Sequence, residues 1–145
     1  MIRRAEQSDL VQIAQLSLEW EQEDITYGLV ANTNETLNSY LGGYFWVVSD
    51  GNRIIGYAYG QLKSNPGFSV FDKDEQKYFE LEEIYIVREY RGRGKGKTLI
   101  QTIIDELEQD GIKRILVSSA NKNWKEVFEY YLKNGFNMWT ITMAR

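Results

Sequence analysis

Two apolar runs separated by a short polar turn in the first half of the chain predict a β-hairpin. An apolar run at 44–48 is followed by the turn residues Asp50-Gly51-Asn52 and by a second apolar run at 53–60. Two such runs joined by a short turn of this composition are typical of a hairpin. A third run at 78–87 predicts another strand. The polar segment between them, 63–77, contains Asn65-Pro66-Gly67 and predicts a loop.

Helical spacing dominates the second half of the chain. Apolar residues recur on one helical face at Leu99, Ile100, Ile103, Ile104 and Leu107, which predicts an amphipathic helix. Gly111 predicts the left-handed stop of that helix. Asn123 and Glu126 fit a capping box. They predict a further helix that ends at Gly135 and carries an apolar stripe of Trp124, Val127, Phe128 and Tyr131.

The remaining segments are short and complete the order of elements. Residues 2–5 predict a first strand, and Ser8 or Asp9 is expected to cap a helix that runs to about Leu18. We expect a loop with a short helix at 19–32, a short helix at 34–41, a buried strand at 112–118 and a last strand at 136–143. This order predicts an α/β (α+β mixed) fold, a mixed sheet flanked by helices, in a single domain that spans 1–145.

Composition narrows the setting in which the chain works. It has 145 residues, of which 43% are hydrophobic and 26% are charged, as is usual for one compact soluble domain. No apolar run approaches the ~20 residues that cross a bilayer, and the N-terminus turns polar too soon for a signal peptide. We therefore expect a cytoplasmic protein without a membrane partner. The formal net charge of −4 argues against a nucleic-acid partner, which calls for a broad basic surface.

The chain contains neither cysteine nor histidine. Disulfides, thiolate metal sites and an acyl-cysteine intermediate are thus excluded, and the commonest base and metal ligand is absent. We expect no metal. Any acyl transfer by this chain has to be direct, with carboxylates, tyrosine, lysine or water acting as the base.

The segment Arg91-Gly92-Arg93-Gly94-Lys95-Gly96 lies between a predicted strand and a predicted helix. Amides left free by small residues at the start of a helix form a site for a phosphate group. Two nucleotide motifs come close but fail. A Walker A loop needs glycine where this chain has Arg91, and a dinucleotide fingerprint needs glycine at Lys97.

The pattern that remains, Arg-x-x-Gly-x-Gly at 91–96, resembles the motif that wraps the acetyl-CoA pyrophosphate in GCN5-related N-acetyltransferases (the GNAT family). Tyr131-Leu132-Lys133-Asn134-Gly135-Phe136 is similar to the family's Tyr-x-x-x-Gly-Phe, and the start of the chain, at 2–5 and 9–10, is similar to its opening strand and first helix. The resemblance implies a mostly antiparallel central sheet whose fourth and fifth strands splay apart. It implies that acetyl-CoA is bound by Ile84, Tyr85, Ile86, Val87, Arg91, Gly92, Arg93, Gly94, Lys95, Gly96, Lys97, Thr98 and Asn123.

The resemblance also implies catalytic roles. The backbone amide of Ile86 or Val87 would polarise the thioester carbonyl, and Tyr131 would return a proton to the departing thiolate. Glu82, in a sequence similar to that of polyamine and aminoglycoside acetyltransferases, is the first candidate for the base. Glu80 or a water between the two carboxylates is the alternative, since strand alternation would put both on one face and Glu83 on the other.

One departure concerns pantetheine binding. Many family members carry asparagine seven residues before the tyrosine, where this chain has Trp124, and Asn123 could serve only as a helix cap. The expected activity is N-acetylation of a small cationic amine, with Trp20 and Tyr27 as candidate aromatic walls. Acetylation of a protein lysine or N-terminus and a non-catalytic acyl-CoA sensor stay open as alternatives. So do a monomer and a homodimer.

Overall fold

A five-stranded sheet in the order β1-β2-β3-β4-β5 organises the protein. The structure is a computed structural model that describes residues 1–145. Its strands are β1 (Ile2–Arg4), β2 (Phe45–Asp50), β3 (Arg53–Ser64), β4 (Lys77–Ile86) and β5 (Ile115–Val117), and its helices are α1 (Leu10–Glu23), α2 (Asn34–Asn38), α3 (Lys95–Gln109) and α4 (Trp124–Lys133). Single 3-10 turns lie at Gln7–Asp9 and Arg88–Tyr90.

The sheet is antiparallel except at its β5 edge. The predicted hairpin is present as β2 and β3, which pair from Phe45↔Tyr59 to Asp50↔Arg53. β4 adds antiparallel to β3, and β5 pairs parallel with β4. This is the mixed sheet that the order of elements predicted, and it is mostly antiparallel, as the family resemblance implied. No helix combines the length and the apolar character needed to span a membrane.

The core lies between the sheet and the apolar faces of α1 and α3. Leu99, Ile103 and Leu107 of α3 are buried, as their helical spacing predicted, and Gly111 follows the helix with φ +80°. Trp46 and Phe79 are fully buried and meet edge to face, with ring centroids 5.9 Å apart. These two rings pack at the middle of the sheet. The outer half of β4 borders the candidate site described below.

Five local predictions were wrong. α1 continues to Glu23, so its last turns occupy part of the segment 19–32, which was expected to be a loop. Trp20 in this part of the helix stacks on Tyr85, and this packing stabilises the additional turns. β5 is only three residues long and half-buried. Asn123 makes no side-chain cap hydrogen bond, and the carboxylate of Asp9 is occupied by Arg3 and by the Glu6 amide.

The fifth wrong prediction is the last strand. Residues 136–145 form neither helix nor strand. The Phe136 amide bonds back to the Tyr131 carbonyl over 3.0 Å, as is usual just after a helix C-terminus. Trp139 packs on Phe68 with ring centroids 5.0 Å apart. An alternating pattern becomes a strand only where a neighbouring strand accepts its hydrogen bonds, and this segment pairs with none.

Candidate active site between strands β4 and β5

The strands β4 and β5 separate and leave a cavity between them. They pair only from Phe79↔Ile115 to Leu81↔Val117, whereas β4 continues for five more residues to Ile86. The space that opens is about 620 Å³. Its walls come from the outer half of β4, the glycine loop, the 117–121 segment, α4, and the end of α1 with the segment that follows it.

A β-bulge shapes the acidic wall of this cavity. Tyr59 pairs with Glu83 and the next residue, Gly60, pairs with Leu81, so Glu82 is the extra residue on β4. The bulge interrupts the alternation of side chains, and both Glu82 and Glu83 line the cavity. The prediction that strand alternation separates these two residues was therefore wrong.

The glycine loop forms the opposite end of the cavity. Gly92 and Gly94 adopt φ +75° and +77°, a region that side chains with a Cβ rarely enter. Gly94 is the N-cap of α3, so the amides of the first helical turn, Lys95 to Lys97, have no partner within the helix. Free amides at the positive end of a 15-residue helix, with Lys95 and Lys97 beside them, form an anion site.

Gly96 meets a different constraint. It lies inside α3, and a Cβ added there would come within 2.8 Å of the Tyr130 hydroxyl oxygen and 3.9 Å of Ile86 Cγ1. Because Gly96 has no side chain, the start of α3 can pack closely against α4. Gly94, by contrast, has nothing within 4 Å of its added Cβ.

Arg91 holds the glycine loop to α1. Its guanidinium donates two hydrogen bonds of 2.8 Å to the carboxylate of Glu23, and its Nε donates to the Ile86 carbonyl over 2.8 Å. The hydroxyl of Tyr85 donates to the same carboxylate, and the guanidinium lies 5.2 Å from the Tyr85 ring centroid. The side chain of Arg91 is thus committed to the protein, and what it offers to a phosphate is its position at the start of the loop.

The amides of Ile86 and Val87 were both expected as candidates to polarise the thioester carbonyl. Only the Ile86 amide faces the cavity between β4 and β5. The Val87 amide donates to the Ile55 carbonyl over 2.9 Å. Residues of an antiparallel pair alternate between bonding to the partner strand and pointing away from it. The amide of Ile86, and likewise that of Ile84, therefore points toward the edge from which β5 has diverged.

Two tyrosines of α4 line the cavity. Burial raises the pKa of Tyr131 well above its ordinary value, and Tyr130 adds to the effect; burial alone raises the pKa of Tyr130 to about 12. Both phenols are protonated at neutral pH. Tyr131 also contacts Tyr130 and Phe136 edge to face, at 5.4 and 5.3 Å between ring centroids.

Glu83 is a carboxylate of the cavity for which the sequence predicted no role. Its Oε2 accepts hydrogen bonds from the Tyr57 hydroxyl over 2.7 Å and from Asn32 Nδ2 over 2.8 Å. Burial raises the pKa of Glu83, and hydrogen bonds from Tyr57, Asn32 and Tyr59 offset part of this rise. The available signal was the pair of tyrosines on one face of β3, but the bulge that aims Glu83 at them has no sequence signature.

The predicted site residues divide into two groups. The cavity is lined by Glu82, Ile84, Ile86, Arg91, Gly92, Gly94, Lys95, Gly96, Lys97 and Tyr131. It is not lined by Glu80, Tyr85, Val87, Arg93, Thr98 or Asn123. Glu80 forms an ion pair with Lys63, Arg93 lies over the Tyr90 ring, and Thr98 Oγ1 donates to the Gly94 carbonyl.

Near α4, the asparagine that lines the cavity is Asn121 and not the predicted Asn123. Asn121 lines the cavity, and its Oδ1 accepts the Asn123 amide over 2.8 Å. Of the two aromatic walls suggested for the acceptor, Trp20 lines the cavity, whereas Tyr27 is 69% exposed and lies outside it.

The comparisons with known proteins agree with this fold. Residues 8–136 match the family model described as the acetyltransferase (GNAT) family. The chain therefore belongs to the GNAT family, as its motifs indicated. It is an acetyl-CoA-dependent acetyltransferase. The comparison with curated proteins found no match.

Solved structures with the same fold share little sequence with this chain. A predicted acetyltransferase from Clostridium acetobutylicum, solved with acetyl-CoA, is 17% identical with a TM-score of 0.73 over 100% of this chain and 94% of its own. An aminoglycoside acetyltransferase from an uncultured soil metagenomic sample is 16% identical with a TM-score of 0.74 over 100% and 94%. The ribosomal-protein-S18-alanine N-acetyltransferase of Escherichia coli is 20% identical with a TM-score of 0.71 over 97% and 79%.

Proposed function

We propose that this protein transfers the acetyl group of acetyl-CoA directly to a primary amine of a small cationic metabolite. The observation that carries this proposal is one continuous cavity with free helix-start amides at one end and two carboxylates on its wall. The first feature suits a diphosphate and the second an ammonium group.

The far wall favours a small acceptor over a protein chain. The segment after α1 pairs with the segment after β5 through backbone hydrogen bonds. The Tyr27 amide donates to the Ala120 carbonyl over 3.0 Å, and the Lys122 amide donates to the Ile25 carbonyl over 2.8 Å. Thr26 and Asn121 form a β-bridge between these two donors. Because the two segments pair with each other, neither offers a free strand edge to which an extended peptide could add.

In the proposed reaction, three residues act on the acceptor amine, the thioester carbonyl and the leaving thiolate. Glu82 accepts a proton from the acceptor ammonium, directly or through a water, and the neutral amine attacks the thioester carbonyl carbon. The Ile86 amide donates to the carbonyl oxygen as negative charge develops there. The new C–N bond forms, the nitrogen of the adduct passes its second proton to water, and the C–S bond breaks. Tyr131 donates its phenolic proton to the departing thiolate, whose thiol has a pKa of about 8.5. The proton released to water then restores the phenol, and Glu82 gives up the first proton to solvent.

The test measures thiol release from acetyl-CoA against a panel of small amines and lysine peptides. We expect release with small diamines or amino sugars and not with peptides. Glu82→Gln should lower kcat by about 10²–10⁴ while calorimetry shows unchanged acetyl-CoA affinity. Glu108→Gln, an exposed carboxylate of α3 outside the cavity, is the matched control. Acetyl-CoA binding without thiol release from any amine would favour a sensor and refute the proposal, and a fully active Glu82→Gln variant would remove Glu82 as the base.

A further inference from the structure

Glu83 is an enclosed carboxylate without a cation. Two other buried or half-buried carboxylates each have a cationic partner. Asp9 pairs with Arg3 at 2.7 Å, and Glu23 pairs with Arg91 at 2.8 Å. No lysine or arginine forms a salt bridge with Glu83, although it is half-buried beside a second carboxylate, Glu82. A charge that is withdrawn from water without a counter-ion costs free energy, and such groups cluster at functional sites.

The surroundings of Glu83 hold it in place and leave one oxygen available. The hydrogen bonds from Tyr57 and Asn32 both end on Oε2. No hydrogen bond of ordinary geometry ends on Oε1, so this oxygen can accept one from an incoming donor. Tyr57 is itself fully buried on β3, and its ring stacks near that of Tyr59 at 6.2 Å, so Glu83 is supported by rigid elements.

The remaining wall suits an aliphatic chain that carries positive charge. Trp20, Thr26 and Leu29 line the cavity on this side, and Trp20 is fixed by stacking on Tyr85 and by its indole hydrogen bond to Thr26 over 3.1 Å. Indole and leucine surfaces pack on methylene groups, and the face of an aromatic ring attracts a nearby ammonium.

We propose that Glu83 binds a second, non-reacting ammonium group of the acceptor, which makes the acceptor a diamine or polyamine. The proposal rests on the proposed function, in which Glu82 receives the proton of the reacting amine. Two carboxylates face one cavity that has a single reaction centre, so one of them is left for a group that keeps its charge. Glu83 fits that task because the hydrogen bonds from Tyr57 and Asn32 hold its carboxylate in place and offset part of the cost of burying its charge.

The experiment uses a chain-length series of α,ω-diamines, each paired with the amino alcohol of the same length. Binding is measured by calorimetry with the protein saturated with coenzyme A, so that no turnover is needed. We expect the best diamine to bind on the order of tenfold to a hundredfold more tightly than its amino alcohol, as for one charge-assisted hydrogen bond. In Glu83→Gln this preference should fall to within about threefold, and in Glu108→Gln it should persist.

Equal affinity for diamine and amino alcohol at every length would overturn the proposal. So would a Glu83→Gln variant that keeps the diamine preference, or one that loses affinity for both compounds equally, since a merely structural residue would behave in that way. Failure of the proposed function has a different signature, namely diamine-selective binding without thiol release from acetyl-CoA. A Tyr57→Phe variant, which removes one donor to Oε2 and keeps the charge, should retain part of the preference.

Discussion

Replacing Gly96 by alanine tests how the coenzyme loop packs against α4. A Cβ at this position would lie 2.8 Å from the Tyr130 hydroxyl oxygen, with the ring carbon Cζ behind it at 3.6 Å. Ordinary van der Waals contact begins near 3.4 Å. The hydroxyl is therefore the single atom in the way, and the rest of the tyrosine ring is not.

The magnitude follows from two opposing effects. Alanine favours a helix interior over glycine by about 0.5–1 kcal/mol, whereas forcing one extra carbon into a packed site costs about 1–3 kcal/mol. We expect Gly96→Ala to destabilise the protein by roughly 1 kcal/mol, about fivefold in the folded-to-unfolded ratio. With Tyr130→Phe as the background, the nearest atom lies at an ordinary distance. There, the same substitution should stabilise the protein by about 0.5–1 kcal/mol.

The assay is a double-mutant cycle followed by urea unfolding, with acetyl-CoA affinity measured by calorimetry on all four proteins. Gly96→Ala should weaken acetyl-CoA binding in the natural background, and Tyr130→Phe should restore it. Gly94→Ala is the control: its cost, about 1–2 kcal/mol, arises from φ +77° and not from a contact, so Tyr130→Phe should leave it unchanged. If Gly96→Ala costs the same in both backgrounds, the steric argument fails.

Two further predictions concern the cavity. Tyr131→Phe should lower kcat by about 10²–10⁴ with unchanged acetyl-CoA affinity, and steady-state kinetics that show full turnover would exclude the phenol as the acid. Glu83→Gln should stabilise the fold at neutral pH: the raised pKa of Glu83 means that its stabilising contribution is present below the unfolded pKa of about 4.3 and is lost as pH rises through the folded value. Thermal unfolding from pH ~3 to ~8 checks this, and a variant less stable than the natural protein at neutral pH would contradict it.

The fold was largely predictable because its strongest patterns are local. The hairpin of β2 and β3 follows from two apolar runs and one turn, and α3 follows from five apolar residues at helical spacing. The last strand failed for the opposite reason. Alternation at 136–143 defines a face, but a strand also needs a partner from elsewhere in the chain, which periodicity does not specify.

The candidate site was predictable where a motif marks it and not where the geometry depends on pairing. Glycine at 92 and 94 is required by positive φ, so the loop could be recognised from sequence. The position of Glu83 depends on a bulge opposite Tyr59 and Gly60, which the residues of β4 alone do not reveal. Likewise, the partnership of Glu23 with Arg91 joins residues 68 positions apart and leaves no periodic trace.

That ion pair links the two elements that are proposed to bind the donor and the acceptor. Glu23 closes the last turn of α1, three residues beyond the indole that walls the amine side, while Arg91 opens the loop intended for the diphosphate. A ligand that steadies either element restrains the other through the same ion pair. Thermodynamic reciprocity then requires that donor and acceptor change each other's dissociation constants by one common factor. The strength of this coupling would thus depend on a single carboxylate at the end of the first helix.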